Sequence, residues 1–163
     1  MSFWVHPSAN IIVTIVNLIT GTRLGFYSNP DSIADSVSAT FEPTNIRGRS
    51  SMYHGYDYTG PRATALDLPI HEDLLLGGET NIVDFTNKVR ALAYPEYAGQ
   101  VVAPRCYLQV GQNIRGIIIV NSVGVAWSRP IRNNRYINAS LTIDCTVLQP
   151  MAPTASMIEG GVA

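Results

Sequence analysis

The stretch that decides the fold is IRGIIIVNSVGVAWSRPIRNNRYINASLTIDCTVL, residues 114–148, in which two apolar runs flank a basic, Asn-rich segment. In the second run apolar and polar residues alternate, as in a strand with one buried face. The predicted buried residues are Ile137, Ala139, Leu141, Ile143, Cys145 and Val147. The first run is rich in β-branched residues and contains glycines, which disfavour a helix. Residues 128–135, with Pro130 and Asn133-Asn134, predict a turn. The whole segment is therefore predicted to be a long β-hairpin.

Working outward, residues 11–20 predict a first strand or arm, and residues 21–31 predict a loop because they contain glycine, asparagine and proline. Residues 36–41 alternate weakly, whereas the polar residues 44–61 predict a long loop. The next predicted strand, 62–70, places four residues on one face: Thr64, Leu66, Leu68 and Ile70. Residues 101–110 predict a further strand, and Pro104 near its start favours a position at the edge of the sheet.

One segment has helical periodicity, residues 81–94. Its apolar stripe consists of Ile82, Phe85, Val89 and Leu92. Asn81 is placed to cap the first turn and Pro95 to end the helix. With about five or six strands and one helix, we predict a mainly β fold, a barrel or sandwich with the helix packed on one side. Residues 1–40 form an N-terminal strand or arm of open role, 36–149 the β domain with its helix, and 150–163 an extended tail.

Composition limits the classes of function. The chain has 163 residues, a formal net charge of −1, 14% charged residues and 46% hydrophobic residues. This balance gives no general attraction to nucleic acid or to an anionic membrane, and it favours a surface partly covered by other subunits. The apolar segment 11–19 is shorter than the roughly 20 residues that span a bilayer. It also lacks the flanks of a signal peptide, so we predict neither membrane insertion nor export.

The sequence offers little catalytic chemistry. Four residues near one strand end could bind a divalent metal: Asp67, His71, Glu72 and Asp73. Neighbours on a strand point to opposite faces, so a solvated strand end is the preferred interpretation. No nucleophile elbow or phosphate-binding loop is present. Cys106 and Cys145 are predicted to be buried thiols, with a disulfide possible only if their strands are neighbours. We therefore predict no enzyme, cofactor or metal.

Arginines and tyrosines cluster at the hairpin turn and in the polar loop. The candidate interface residues are Arg47, Arg49, Tyr53, Tyr56, Tyr58, Arg129, Arg132 and Arg135. Stacking tyrosines beside arginines would also suit nucleic acid, and this alternative stays open. The near-neutral charge and the enrichment of Arg and Tyr at protein interfaces favour protein contacts.

Several short motifs occur in a characteristic order. They are F-x-P-T-x-I from Phe41 to Ile46, a Ser/Tyr-rich loop closing at Gly60, TALDLPIHED, Pro104 with Leu108 and Gly111, GIIIVNSVGVAW, RPIR, and A-x-L-T-I from Ala139. In this order and spacing the chain resembles the tube-like domain of baseplate hub and tube-initiator proteins of contractile phage tails and related contractile injection systems. The resemblance covers residues 37–148, about two-thirds of the chain. It departs from the family in having no room for a LysM domain after Gln149 and no counterpart to the first forty residues.

The resemblance implies a barrel-like fold whose subunits close into a hexameric ring. Such a ring would lie between baseplate hub and tail tube in the virion, would be assembled in the host cytoplasm, and would start the tube. Its partners would be further copies of itself, the tail-tube protein and other baseplate or hub proteins, with DNA only passing through the lumen. The candidate lumen residues are Asn138, Ser140, Thr142 and Asp144. The alternatives are the tail-tube protein proper, or a virion binding module that uses the Tyr/Arg loop.

Overall fold

The computed structural model describes residues 13–26, 32–44, 53–75, 80–97, 101–102 and 104–148. These residues form eleven strands and one α-helix, so the predicted mainly β fold with a single packed helix is confirmed. The strands are β1 Val13–Asn17, β2 Arg23–Phe26, β3 Ser32–Ser36, β4 Ala39–Thr44, β5 Tyr53–Thr59, β6 Ala63–His71, β7 Glu96–Tyr97, β8 Val101–Val102, β9 Arg105–Val110, β10 Ile114–Arg132 and β11 Arg135–Leu148. The helix, α1, spans Ile82–Ala91.

Seven strands form one antiparallel sheet in the order β2-β1-β9-β10-β11-β6-β3, and β4-β5 and β7-β8 form two separate two-stranded sheets. The predicted long hairpin is β10 and β11, and it occupies the middle of the large sheet. Its turn is shorter than the predicted 128–135. Only Asn133 and Asn134 lie outside the strands, with φ of 50° and 60°. Asparagine tolerates this left-handed conformation, which a two-residue hairpin turn requires at both positions.

The strand β10 continues through Pro130, contrary to the sequence prediction, because a β-bulge accommodates the proline. Ser128 pairs with Asn138 and Ile131 with Tyr136, so two residues of β10, Arg129 and Pro130, lie opposite one residue of β11. An unpaired bulge position needs no backbone N–H, which proline lacks. The Arg129-Pro130 peptide bond is cis.

The buried face of the sheet is the predicted one. All six alternating residues of β11 are buried, as are Thr64, Leu66, Leu68 and Ile70 of β6. The helix covers this face with its predicted stripe, and the rings of Phe26 and Phe85 meet edge to face at a centroid distance of 5.4 Å. Asn81 caps the helix, its Oδ1 accepting a hydrogen bond from the N–H of Val83 at 3.0 Å. Burial of one face thus explains both the alternation along β6 and β11 and the helical spacing of the apolar stripe on α1.

The large sheet wraps around its core. A single ten-residue helix cannot cover a flat face of seven strands spaced about 4.8 Å apart, so the strands must curve around their own buried side chains. An isolated antiparallel bridge between Phe26 of β2 and Leu75, shortly after β6, brings the two ends of the sheet towards each other. Consequently the outer surfaces of β2-β1-β9 and of β11-β6-β3 face in different directions.

Three sequence predictions about strands are wrong. The segment 21–31 contains β2 and the segment 44–61 contains β5, where loops were predicted. Strand β9 lies inside the sheet between β1 and β10, not at an edge. Pro104 precedes Arg105, the first residue of β9, so its missing N–H removes no hydrogen bond from the sheet. The described part of the N-terminal segment, whose role was open, contributes β1, β2 and β3 to the sheet.

Candidate interaction surfaces

The tip of the long hairpin is tied to the chain that follows β6. Arg135 donates to the carboxylate of Glu72 through Nε at 3.1 Å and through Nη2 at 2.8 Å. Arg132 donates to Asp73 through Nη1 at 3.0 Å and Nη2 at 3.3 Å. Two parallel N–H···O bonds of this kind fix the orientation of a guanidinium as well as its position. Two of the three predicted tip arginines are therefore engaged within the subunit.

A single 3-10 turn, Glu72–Leu74, presents these carboxylates. His71 caps it, its Nδ1 accepting a hydrogen bond from the Asp73 N–H at 3.1 Å. The bonded guanidinium of Arg135 lowers the pKa of Glu72, and that of Arg132 lowers the pKa of Asp73. Both carboxylates are thus held in the ionised form as partners of arginine. The members of each pair lie about sixty residues apart, so no local sequence pattern predicts these pairs.

Arg129 differs from its two neighbours at the tip. Arg129 is exposed, and its guanidinium forms no hydrogen bond or ion pair with a side chain among the described residues. Its carbonyl oxygen accepts a hydrogen bond from Asn138 Nδ2 at 3.0 Å, which fixes the backbone at the bulge. Among the predicted tip residues, Arg129 is the one whose charge is directed to solvent.

The Tyr/Arg loop is partly a hairpin. Arg47 and Arg49 lie outside the described residues, whereas Tyr53, Tyr56 and Tyr58 lie in β5. Tyr56 is 61% exposed and Phe41 of β4 is 53% exposed, and their rings meet edge to face at 5.8 Å. Strands β4 and β5 pair with each other and with no other described strand. The weak alternation around Phe41 predicts a strand but does not indicate that its ring is part of an exposed surface.

The four candidate lumen residues lie on the outer face of β11, opposite the core. Across β10, β6 and β3 this face continues with short side chains. We define the small polar face as Ser32, Ala34, Ala65, Asp67, Pro69, Ser122, Gly124, Ala126, Asn138, Ser140, Thr142 and Asp144. It is mostly exposed, holds two carboxylates and neither lysine nor arginine, and ends at His71, which pairs in register with Asn138.

Hydrogen bonds run across the small polar face from strand to strand. Asp67 accepts from Thr142 Oγ1 at 3.0 Å and from Ser32 Oγ at 2.8 Å. Asp144 accepts from Ser122 Oγ at 2.6 Å. The hydroxyl groups of Ser32, Ser122 and Thr142 therefore donate within the face, and the carboxylates are the negative charges that it presents to solvent. Sequence periodicity predicts the part of this face that lies on β11. The parts on β3 and β6 can be recognised only when the order of the strands in the sheet is known.

Three of the four candidate metal ligands near the end of β6 make other contacts. Asp67 belongs to the small polar face, while Glu72 and Asp73 bind arginines. Across the residues that the structure describes, no group of three or more His, Cys, Asp or Glu side chains could hold a metal ion.

The two cysteines lie on strands that are not neighbours, because β10 separates β9 from β11. Two strand spacings amount to about 10 Å, beyond the roughly 7 Å of Cα separation that a disulfide bridges. Both thiols are free and buried. Burial raises the pKa of Cys106 to about 11 and that of Cys145 to about 12. Neither thiol has the lowered pKa of a nucleophile.

Two further findings concern the chain as a whole. In the parts of the chain described above, no helix is long and apolar enough to cross a bilayer. Comparison with protein-family models and with curated protein sequences finds no match to this chain.

Proposed function

We propose that this protein is a structural virion protein of a contractile phage tail. It forms a ring at the baseplate hub that adapts to the tail tube, initiates it, and leaves a lumen for the genome. The observation that carries the proposal is the small polar face. It spans four strands, is opposite the core, and combines short side chains with two carboxylates and neither lysine nor arginine.

The wall of a channel for DNA must not bind the phosphates that pass it. Double-stranded DNA carries one negative charge per roughly 1.7 Å, and each Lys or Arg that binds a phosphate strengthens the contact by releasing counterions. A wall with basic residues would hold the genome, whereas one that presents Asp67 and Asp144 repels it. Because Ser32, Ser122 and Thr142 already donate to these carboxylates, their hydroxyl groups do not offer donors to passing phosphates.

The edges of the sheet support assembly. Strands β2 and β3 are the two outermost strands, and apart from the single bridge between Phe26 and Leu75 each has one side without a partner in the described residues. Unpaired edges expose backbone N–H and C=O groups that proteins usually cover, and neighbours in a closed ring can cover them. The same reasoning applies to a tail-tube protein, which builds many rings where an initiator builds one. The copy number per particle separates these two functions.

A lumen wall can be tested by adding positive charge. Ser140 and Ala126 face each other in register on the small polar face, and both are exposed. We expect Ser140→Lys with Ala126→Lys to leave particle assembly intact and to slow genome ejection, because the new cations bind passing phosphates. The matched control is Asn87→Lys on the exposed side of α1.

Electron microscopy of the particles should show one ring of this chain at the hub. If the double variant ejects its genome as fast as the control, the small polar face does not line the lumen. A position outside the tail would overturn the proposed function itself.

A further inference from the structure

The outer surface of the large sheet has a second half with a different character. On β2, β9 and the start of β10 it carries what we call the arginine patch: Arg23, Arg105, Arg115, Tyr107, Ile117 and Ile119. Tyr107 pairs in register with Ile117, and Arg105 with Ile119, so the apolar side chains form a compact centre. All three arginines are exposed, and Ile117 is 41% exposed.

The charges of this patch are not balanced within the subunit. In the described part of the chain none of the three guanidinium groups takes part in a side-chain hydrogen bond or salt bridge, in contrast to Arg62, Arg132 and Arg135. Arginine and tyrosine around an apolar centre are the residues enriched where proteins bind each other. A partner that offers both apolar side chains and carboxylates would therefore complement the patch.

The β4-β5 hairpin of the same chain offers both. Phe41 and Tyr56 pair in register and lie exposed on one of its faces, and Glu42, the next residue of β4, lies on the other face. Asp57 lies next to Tyr56 as the extra residue of a β-bulge in β5. Both acidic residues are exposed and form no ion pair with any described residue. An isolated two-stranded hairpin is only marginally stable in water, so this one gains stability from a surface that covers its aromatic pair.

We propose that the arginine patch of one copy of this protein binds the β4-β5 hairpin of the next copy. The aromatic face of the hairpin packs on Tyr107, Ile117 and Ile119. The surrounding arginines extend past the edges of the hairpin to Glu42 and Asp57. Two strands occupy about 10 Å and the four strands β2-β1-β9-β10 about 14 Å between their outer axes, so the patch is wide enough to flank the hairpin.

This contact joins two different surfaces of the protein, so it is head-to-tail and can continue from copy to copy until a ring closes. This contact would join the subunits of the proposed ring, so the inference rests on the proposed function to that extent. A nucleic acid would also bind three arginines beside a tyrosine. The exposed Ile117 and the half-buried Ile119 favour a protein partner, since their side chains gain nothing from phosphate contacts.

The test uses two variants of the full chain. The patch variant carries Arg105→Glu and Arg115→Glu, and the hairpin variant carries Phe41→Ser and Tyr56→Ser. The control carries Arg90→Glu on the exposed side of α1. Sedimentation velocity over a concentration series measures self-association, and circular dichroism confirms that each variant is folded. We expect wild type and control to form oligomers, and each variant to associate more than about tenfold more weakly because an apolar or charged contact is lost.

Mixing the two variants provides the decisive measurement. The patch variant keeps an intact hairpin and the hairpin variant keeps an intact patch, so the mixture has one functional contact per pair. It should form a 1:1 heterodimer and nothing larger. A mixture that stays monomeric overturns the inference, as does a wild type that is monomeric at every concentration. Oligomers that persist unchanged in both variants overturn this contact and leave the ring proposal standing. Loss of single-stranded DNA binding by the patch variant, with unchanged self-association, would assign the patch to nucleic acid instead.

Discussion

Replacing Phe85 by alanine tests whether α1 is held on the sheet in the way described. Phe85 is 1% exposed and meets Phe26 edge to face. Truncating a buried phenylalanine costs about 3–5 kcal/mol, which includes the roughly 0.5–1.5 kcal/mol of an aromatic pair. For a chain of this length about 1 kcal/mol lowers Tm by 2–4 °C, so we expect Tm to fall by roughly 6–20 °C.

The assay is urea unfolding followed by circular dichroism, with calorimetry for Tm. The matched control is Val83→Ala on the same helix, since Val83 is 37% exposed and its truncation should change the free energy of unfolding by less than about 0.5 kcal/mol. A loss below about 1.5 kcal/mol for Phe85→Ala would refute the reasoning, because no fully buried and well-packed ring is removed so cheaply.

Further predictions concern the cap, the turn, the acid response and the thiols. Asn81→Ala removes the helix cap and should cost about 1 kcal/mol in urea unfolding. At φ 60°, Asn134→Gly should be neutral or stabilising and Asn134→Val should cost about 1–2 kcal/mol by the same assay. The pKa of Glu72 is lowered on folding, so its stabilising contribution is present above its unfolded pKa of about 4.3 and is lost as pH falls through the folded value. Arg135→Gln should weaken this acid dependence of the urea midpoint. A thiol reagent at pH 8 should leave Cys106 and Cys145 unmodified until denaturant is added, and rapid labelling of the native protein would contradict their burial.

The central elements could be predicted because their side chains alone reveal the buried face. Alternation along β6 and β11 and the helical stripe on α1 reflect burial of one side, which sequence periodicity records directly. Strand β2 escaped prediction because it is four residues long and contains a glycine, and β5 because its glycine and polar residues resemble a loop. Pro104 misled the placement of β9 because a proline just before a strand and one within its hydrogen-bonded part look alike in sequence.

The surfaces were less predictable than the core. Periodicity identified the β11 part of the small polar face, since that face is simply the other side of a buried strand. The partners of Arg132 and Arg135 depend on where the hairpin tip meets the chain after β6, which no local pattern encodes. The arginine patch was missed altogether, because its members come from β2, β9 and β10 and become neighbours only through the strand order.

The same strand order has a consequence for how the chain folds during synthesis. Strand β1 pairs with β9, and β6 pairs with β11, so within the large sheet the early pairs β1-β2 and β3-β6 are linked through the later strands β9, β10 and β11. Contacts so distant in sequence form slowly, and apolar strands that wait for their partners are prone to aggregate. The nascent chain therefore has to protect β1 and β6 until the C-terminal hairpin emerges. Truncating that hairpin should yield insoluble protein, since the remaining strands lose the centre of their sheet.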